Sequence, residues 1–592
     1  MNTNSKIKRL REHMKNLGLH AYIIPSYDAH QSEYVHSRFK SRAWLSGFTG
    51  SAGTLVVTLN ESGLWTDGRY FIQAEKELEG SEIKLFKMRE PGVPTYTQWL
   101  KDNTSSNYSI GFDGTVMPLS EIENLRNILN DNTIKLEGRH DLIDLIWDDR
   151  PEMPKDKIFI HPREFSGRDI NEKLSLVRSK MNTQKAEFYL LTTLDDIAWL
   201  FNIRGNDVEN NPVAIAYALI SKNEAILFID SSKLAAEVVL ELNSFNVSIK
   251  DYNFIFNYLS NIKDNASIFI DWSKTSFNLY NAIPSRCKVI KGTNIVQNIK
   301  CIKSPSEIHH IKNCHVKDGV AMVKFLHWLK TNIEKETITE ISASEKLESF
   351  RKEEKNFINP SFNTIAAYKD HGAMMHYKAK EDSQYTLENN GLFLIDSGGQ
   401  YLDGTTDITR TIVMGKISSE EKHHFTLVLK GHISLSRAKF LHGITGTNLD
   451  ILARLPMWNE GIDYKCGTGH GIGYFLSVHE GPQRFSVEYN GAVLEKGMII
   501  TNEPGVYIKD KYGIRTENEL LIVEDETTEF GTFLRFEPIT YCPIDLDGID
   551  VTILSNEEKN WLNLYHSKVY EILSPHLNLE ERDWLKEVTR EV

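Results

Sequence analysis

Cysteine is scarce in this chain, with five in 592 residues: Cys287, Cys301, Cys314, Cys466 and Cys542. They are odd in number and none stand at CxxC spacing, which argues against a disulfide framework and a structural zinc site and makes a reducing, cytoplasmic setting the expectation. Long apolar runs are also missing. No stretch reaches the roughly 18 residues a membrane span needs, so no membrane association is expected. The basic cluster Lys6, Lys8, Arg9 and Arg11 is interleaved with Ile7, Leu10, Met14 and Leu17 at helical spacing and stops at Gly18. That pattern reads as a folded helix rather than a signal peptide. Positive charge is outnumbered, 68 Lys and Arg against 81 Asp and Glu, for a net charge of −13. No basic stripe is left to neutralise a phosphate backbone, so nucleic acid is not expected as a partner.

The chain has enough apolar residues, 41%, to fill sizeable cores. Single cores stop growing at roughly 250–300 residues, so two or three domains are expected. A repeat supports this. Ala43-Trp44-Leu45-Ser46-Gly47-Phe48-Thr49-Gly50 resembles Ala198-Trp199-Leu200-Phe201-Asn202-Ile203-Arg204-Gly205, and each copy is followed by a strand, a tight polar turn and a second strand. A period above 150 residues is too long for a solenoid and implies two tandem α/β domains. The Pro-containing, charged stretch 148–156 reads as a linker, because its prolines cannot continue a helix. A second boundary falls near Lys300, since Pro305-Ser306-Glu307 opens a helix with Ile308, Ile311, Val316, Val320, Met322, Val323 and Leu326 as its apolar stripe. The expected division is 1–153, 154–300 and 301–592.

The last segment holds nearly all the candidate chemistry. The apolar run 391–395 ends in Asp396, and the β-branched stretch 405–413 contains Asp407; together they read as a hairpin-like pair. His470 stands among alternating glycines in Gly467-Thr468-Gly469-His470-Gly471-Ile472-Gly473, which lacks the ending of a phosphate loop. Glu503 closes a third apolar run, and Pro504 restricts it to an extended backbone. Glu517 alternates with Arg515 and Glu519, placing all three on one strand face. Taken singly, Asp396 could begin a turn, and Asp407 or Glu517 could lie on a solvated face. As a set, four carboxylates and one imidazole make a hard, oxygen-rich donor group suited to Mn²⁺ or Mg²⁺, with Co²⁺, Fe²⁺ or Zn²⁺ as substitutes by affinity order. Without cations the acids would repel one another strongly.

These motifs, in their order, resemble the pita-bread metallopeptidases: Leu394-Ile395-Asp396-Ser397-Gly398, Asp403-Gly404-Thr405-Thr406-Asp407, Gly467-Thr468-Gly469-His470-Gly471, Val478-His479-Glu480-Gly481, Thr501-Asn502-Glu503-Pro504-Gly505 and Glu517-Asn518. Asp28-Ala29-His30-Gln31-Ser32-Glu33-Tyr34, Trp65-Thr66-Asp67-Gly68-Arg69-Tyr70 and 195–202 extend the resemblance to the long, three-domain X-Pro aminopeptidases, over nearly the whole chain. The resemblance implies two creatinase-like N-terminal α/β domains followed by an α+β pita-bread catalytic domain with a C-terminal helical tail. It implies removal of the first residue from peptides with proline in second position, by a hydroxide between two Mn²⁺ ions. By the same likeness Asp407 and Glu517 bridge the ions, Asp396 chelates one, His470 and Glu503 bind the other, and Glu503 shuttles the proton. His376 and His479 match substrate-contacting histidines, Arg69 a peptide-contacting arginine, and a cytoplasmic homodimer is implied.

Cys466 departs from the pattern, standing where related enzymes typically have a substrate-binding histidine. His479-Glu480 is not a zincin helix, because Gly481-Pro482 interrupts it and no histidine follows at the required spacing. His371, His423 and His424 are expected at the surface. Two other functions compete: a prolidase-type dipeptidase, and a non-catalytic peptide- or histone-binding module on the same fold.

Overall fold

A computed structural model describes residues 1–592. Two compact units emerge, Met1–Pro162 with Arg168–Ile299, and Arg163–Gly167 with Lys300–Val592.

The first unit contains two six-stranded sheets of the same design. One runs Lys84–Lys87, Ser62–Thr66, Thr54–Thr58, Ala21–Ile24, Ser109–Phe112, Lys135–Glu137; the other runs Val247–Lys250, Ala225–Ile229, Ala216–Ser221, Phe188–Leu191, Ser267–Asp271, Lys288–Gly292. In both, the central antiparallel strands are flanked by parallel pairs. The sequence repeat maps onto equivalent places: a short helix, Ser41–Ser46 or Leu194–Leu200, precedes each hairpin. Leu45 and Phe48 are fully buried in one copy, Leu200 and Phe201 in the other. The motif therefore recurs because it packs. Leu119 N donates to Thr275 O at 2.9 Å and His30 Nδ1 to Thr192 O at 2.8 Å, joining the two sheets into one unit. At the N-terminus, helix Thr3–Asn16 buries Ile7, Leu10 and Met14, while Leu17 is exposed and Gly18 takes the left-handed backbone that ends the helix.

The second unit opens with helix Pro305–Asn332, whose Ser304 cap and Glu307 form a capping box. Its expected stripe is largely buried, with Ile311, Val320, Met322, Val323 and Leu326 inside and Ile308 and Val316 half-buried. The unit carries a three-stranded sheet, Ile365–Tyr368, Leu392–Ser397 and Ile408–Val413, and a six-stranded one. The latter runs Lys439–Leu441, Gly531–Pro538, Asn518–Thr528, Ile499–Asn502, Gly469–Gly471, Glu480–Phe485. Arg410 stitches the two sheets together. Only 2% exposed, it donates to the carbonyls of Thr409, Glu517, Cys542 and Pro543 and to the side chains of Asn518 and Tyr565. A buried guanidinium survives here because its donors find partners. Helices Asn556–Leu573 and Leu579–Val588 form the helical tail.

Two local expectations need correction. The strands at 392–397 and 408–413 pair antiparallel, but Gly399–Tyr401 and Gly404–Thr405 intervene, so they are not a simple hairpin, and Asp396 lies inside its strand rather than at a turn. Glu517 does not sit on one alternating strand with Arg515 and Glu519. The strand breaks between Tyr512–Arg515 and Asn518–Thr528, leaving Glu517 at the junction.

Candidate metal centre

Strand pairing gathers the five expected residues. Asp396 stands opposite Thr409 in its sheet, and Asp407 immediately precedes strand Ile408–Val413. Asn502 pairs with Asn518, so the acids flanking them, Glu503 and Glu517, leave neighbouring strands at the same level. His470 is the middle residue of the adjoining strand Gly469–Gly471. Ligand-capable atoms of Asp407, His470 and Glu517 all lie within 4.8 Å of one another. His470 Nε2 is 3.5 Å from Asp407 Oδ2 and 3.5 Å from Glu503 Oε1. His470 and Glu503 each keep 21% of the side chain exposed while Asp407 keeps 6%, so the cluster opens on their side.

The glycines around His470 serve the sheet. A Cβ at Gly469 would lie 1.9 Å from Thr501 O, and one at Gly471 would lie 2.2 Å from Glu480 O. His470 Nδ1 is 3.0 Å from Gly471 O, an acceptor, so that nitrogen carries the proton. Nε2 is left facing the acids, the nitrogen that a metal ligand of this orientation would offer.

The electrostatics point the same way. Burial, followed by the charges of Asp396 and Glu503, pushes the Asp407 carboxyl well above its usual range. Glu517 is pushed up by burial and then by Asp407, Glu503 and Asp396. Arg515 pairs with Asp396 Oδ2, and Asp396 Oδ1 is buried with no hydrogen-bond partner. Four carboxylates, one correctly oriented imidazole and an unmatched buried oxygen form a donor set that fits hard divalent cations.

Some residues escaped the sequence. Thr409 Oγ1 donates to Glu517 Oε2 at 2.8 Å and accepts from Arg515 Nε at 3.0 Å, holding both side chains. Glu519 Oε1 accepts from Asp407 N at 2.8 Å. Glu480 is buried between Lys300 and Lys303. Its strand, Glu480–Phe485, agrees with the rejection of a zincin helix.

Of the substrate candidates, His479 packs edge-on against His470, ring centroids 4.2 Å apart at 88°. His376 is half-buried just beyond the turn Lys369–Ala373. Arg69 belongs to the first compact unit, where its guanidinium donates to both oxygens of Asp67 at 2.8 Å. Cys466 is half-buried, packs beside an apolar cluster that includes Tyr464, and has its carbonyl bound by Arg454 at 2.6 Å. The surface assignment fails for two histidines. His371 is 7% exposed, stacks between Tyr377 and Tyr385, and places Nδ1 2.9 Å from Glu340 Oε1. His424 is 8% exposed and meets Tyr512 Oη at 2.9 Å. Both contact buried or stacked aromatic partners, whereas His423 is half-exposed beside Glu460.

The chain is 40% identical over 605 residues to Xaa-Pro aminopeptidase 1 of Dictyostelium discoideum, an alignment covering 98% of this chain and 96% of that one. It belongs to the X-Pro aminopeptidase family. A probable Xaa-Pro aminopeptidase P of Laccaria bicolor is 39% identical, with 99% of this chain and 93% of the relative covered. The crystal structure of X-prolyl aminopeptidase from Caenorhabditis elegans, described as a cytosolic enzyme with a di-nuclear active site, superposes with a TM-score of 0.96 at 35% identity over 100% of both chains. Within the chain, residues 6–146 and 149–307 each match the Creatinase/Prolidase N-terminal domain, 309–524 match metallopeptidase family M24, and 532–592 match the C-terminal region of peptidase M24. The fold is thus two creatinase-type domains followed by a pita-bread domain. An Xaa-Pro dipeptidase from Bacillus anthracis aligns with only 64% of this X-Pro aminopeptidase family member, though with 99% of its own length, at a TM-score of 0.50 and 25% identity.

Proposed function

We propose that this chain hydrolyses the bond between the first residue and a proline in second position, using two divalent cations, manganese in the native protein. The observation that carries this reading is the meeting of Asp407, His470 and Glu517 donor atoms within 4.8 Å, beside Glu503 and charge-coupled to Asp396. Those five residues would hold the ions. When bound, the cations supply Lewis acidity, lowering the pKa of water and stabilising negative charge on a carbonyl oxygen.

The chain's own groups do the rest. Glu503, on the open side of the cluster, takes a proton from the attacking water and delivers it to the departing proline nitrogen. Thr501 Oγ1, 3.3 Å from Glu503 Oε1, steadies that carboxylate. His479 and His376 donate to the carbonyl oxygen as charge develops on it, and Arg69 contacts the peptide. An X-Pro bond carries no amide N–H, so a site shaped for the ring needs no acceptor there. The working form is a cytoplasmic homodimer, with domains at 1–153, 154–300 and 301–592.

The test joins metal analysis of purified protein to hydrolysis of an Arg-Pro-Pro peptide with and without Mn²⁺. Release of arginine by a protein carrying two ions per chain is expected; inactivity with both ions bound would refute the reading. Faster cleavage of a dipeptide X-Pro than of the longer peptide would favour a prolidase instead. Metal-free protein that binds peptides without cleaving them would favour the scaffold alternative.

A further inference from the structure

Four residues before His479, Phe475 adopts a left-handed backbone, φ 48°, with its side chain fully buried. For a bulky residue this conformation costs on the order of 1–3 kcal/mol and persists only where the surroundings enforce it. Several contacts do so. Gly473 N donates to Ser477 O at 3.0 Å, closing the turn, and a side chain at Gly473 would collide with that oxygen at 2.5 Å. Tyr474 Oη donates to Phe165 O at 2.8 Å. Gln400, fully buried, donates through Nε2 to Leu476 O at 2.7 Å. Thr405 Oγ1 donates to Gln400 Oε1 at 2.8 Å, which fixes which end of the carboxamide faces the turn.

The placement of these groups gives the contact a use. Gln400 lies four residues beyond Asp396, and Thr405 two residues before Asp407. On the other side of His479, the Glu480 backbone pairs with Gly471 next to His470, and its carboxylate is tied to Lys300 and Lys303. The His479 segment is therefore held at both ends by elements that also carry the candidate metal ligands. A residue needed only to fill space would not require an amide whose two ends are separately bonded.

We propose that Gln400 is a positioning residue that latches the turn at 473–477 and so sets His479 against the peptide. This rests on reading His479 as a substrate contact. The test uses full-length, manganese-loaded protein and the variants Gln400→Met, His479→Ala and their combination, with kcat and KM on an Arg-Pro-Pro peptide, bound metal and Tm measured for each. Gln400→Met is expected to lower kcat/KM by roughly 10- to 100-fold, as small displacements of reacting groups do, with bound metal unchanged. The combined variant is expected to be no slower than His479→Ala alone, because residues acting through one another are not additive. Should Gln400→Met fold poorly, Thr405→Val, which frees the carboxamide to turn and also removes the hydroxyl's own 3.4 Å contact with Leu476 N, is expected to lower kcat/KM in the same direction. Unaltered kinetics in a folded Gln400→Met protein, or a double variant slowed by the product of the single effects, overturns the proposal. Unaltered kinetics in His479→Ala would instead sink the reading of His479, and the latch with it.

Discussion

The Arg515 guanidinium binds Asp396 Oδ2 from inside the acid cluster, while its other nitrogens donate to Tyr507 Oη at 2.6 Å and Thr409 Oγ1 at 3.0 Å. It is a cation built into a group of carboxylates that repel one another, and so does part of what bound ions would do. Arg515→Met is expected to destabilise the metal-free protein by about 3–5 kcal/mol, the effect of breaking a buried ion pair. Arg515→Lys should recover only part of this, because lysine lacks the planar fork. Since the ions must then neutralise more charge, adding Mn²⁺ should raise Tm more in Arg515→Met than in the parent. Thermal melts with and without Mn²⁺ check this, and an equal rise would remove Arg515 from the charge balance.

Stripping the metal should reverse the pH dependence of this site. Asp407 and Glu517 have carboxyls raised by burial and then by neighbouring acids, so the metal-free folded state binds more protons than the unfolded one. Their contribution to stability is fully present below the unfolded carboxyl pKa of about 4, and it is lost as pH rises through the higher folded values. Metal binding requires both groups ionised and releases their protons, so its stabilisation grows with pH. Melts of chelator-treated and Mn²⁺-loaded protein between pH 5 and pH 8, a range above the unfolded value, should therefore diverge as pH rises. Parallel curves would show that these acids do not share a cation.

Much of this centre was legible because metal ligands must be delivered by short, rigid elements. Asp396 and Glu503 each follow a run of buried residues, and His470 stands among glycines that neighbouring strands require. Thr409 lies two residues beyond Asp407, in the strand that Asp407 precedes, and its role depends on Glu517, 108 residues further on. What stayed hidden depends on partners far away in the chain. His371 is inside because Glu340, 31 residues earlier, receives its Nδ1, and nothing local to His371 announces that. In the sequence Arg515 shares an alternating run with Glu517, two residues on; the fold pairs it with Asp396, 119 residues away. Glu480 next to His479 resembled a fragment of a zinc motif, whereas its partners are the two lysines at the start of the second unit.

Cys466 is expected to bear on substrate handling and not on metal binding. It contacts an apolar cluster and offers its carbonyl to Arg454, and it is not among the residues whose donor atoms converge. Cys466→His is expected to leave two ions per chain while changing KM or kcat for X-Pro peptides. Metal analysis beside steady-state kinetics tests this, and loss of an ion in the variant would contradict the division of roles.

Asp407→Asn sets stability against function within one side chain. Asp407 is the acid whose charge, after burial itself, contributes most to raising Glu517. Replacing its carboxylate by an uncharged carboxamide relieves that repulsion, so the metal-free variant should be more stable than the metal-free parent at neutral pH. The same change removes an anionic donor from the centre, so metal affinity should fall, and activity should drop by more than roughly 100-fold, a loss that even outer-shell substitutions around metal ligands can reach. Denaturant melts of the chelated proteins, metal titration and peptide hydrolysis measure the three effects separately. A metal-free variant less stable than its parent would mean that Asp407 is held by contacts stronger than the repulsion it suffers, and that a cation is not what its carboxylate awaits.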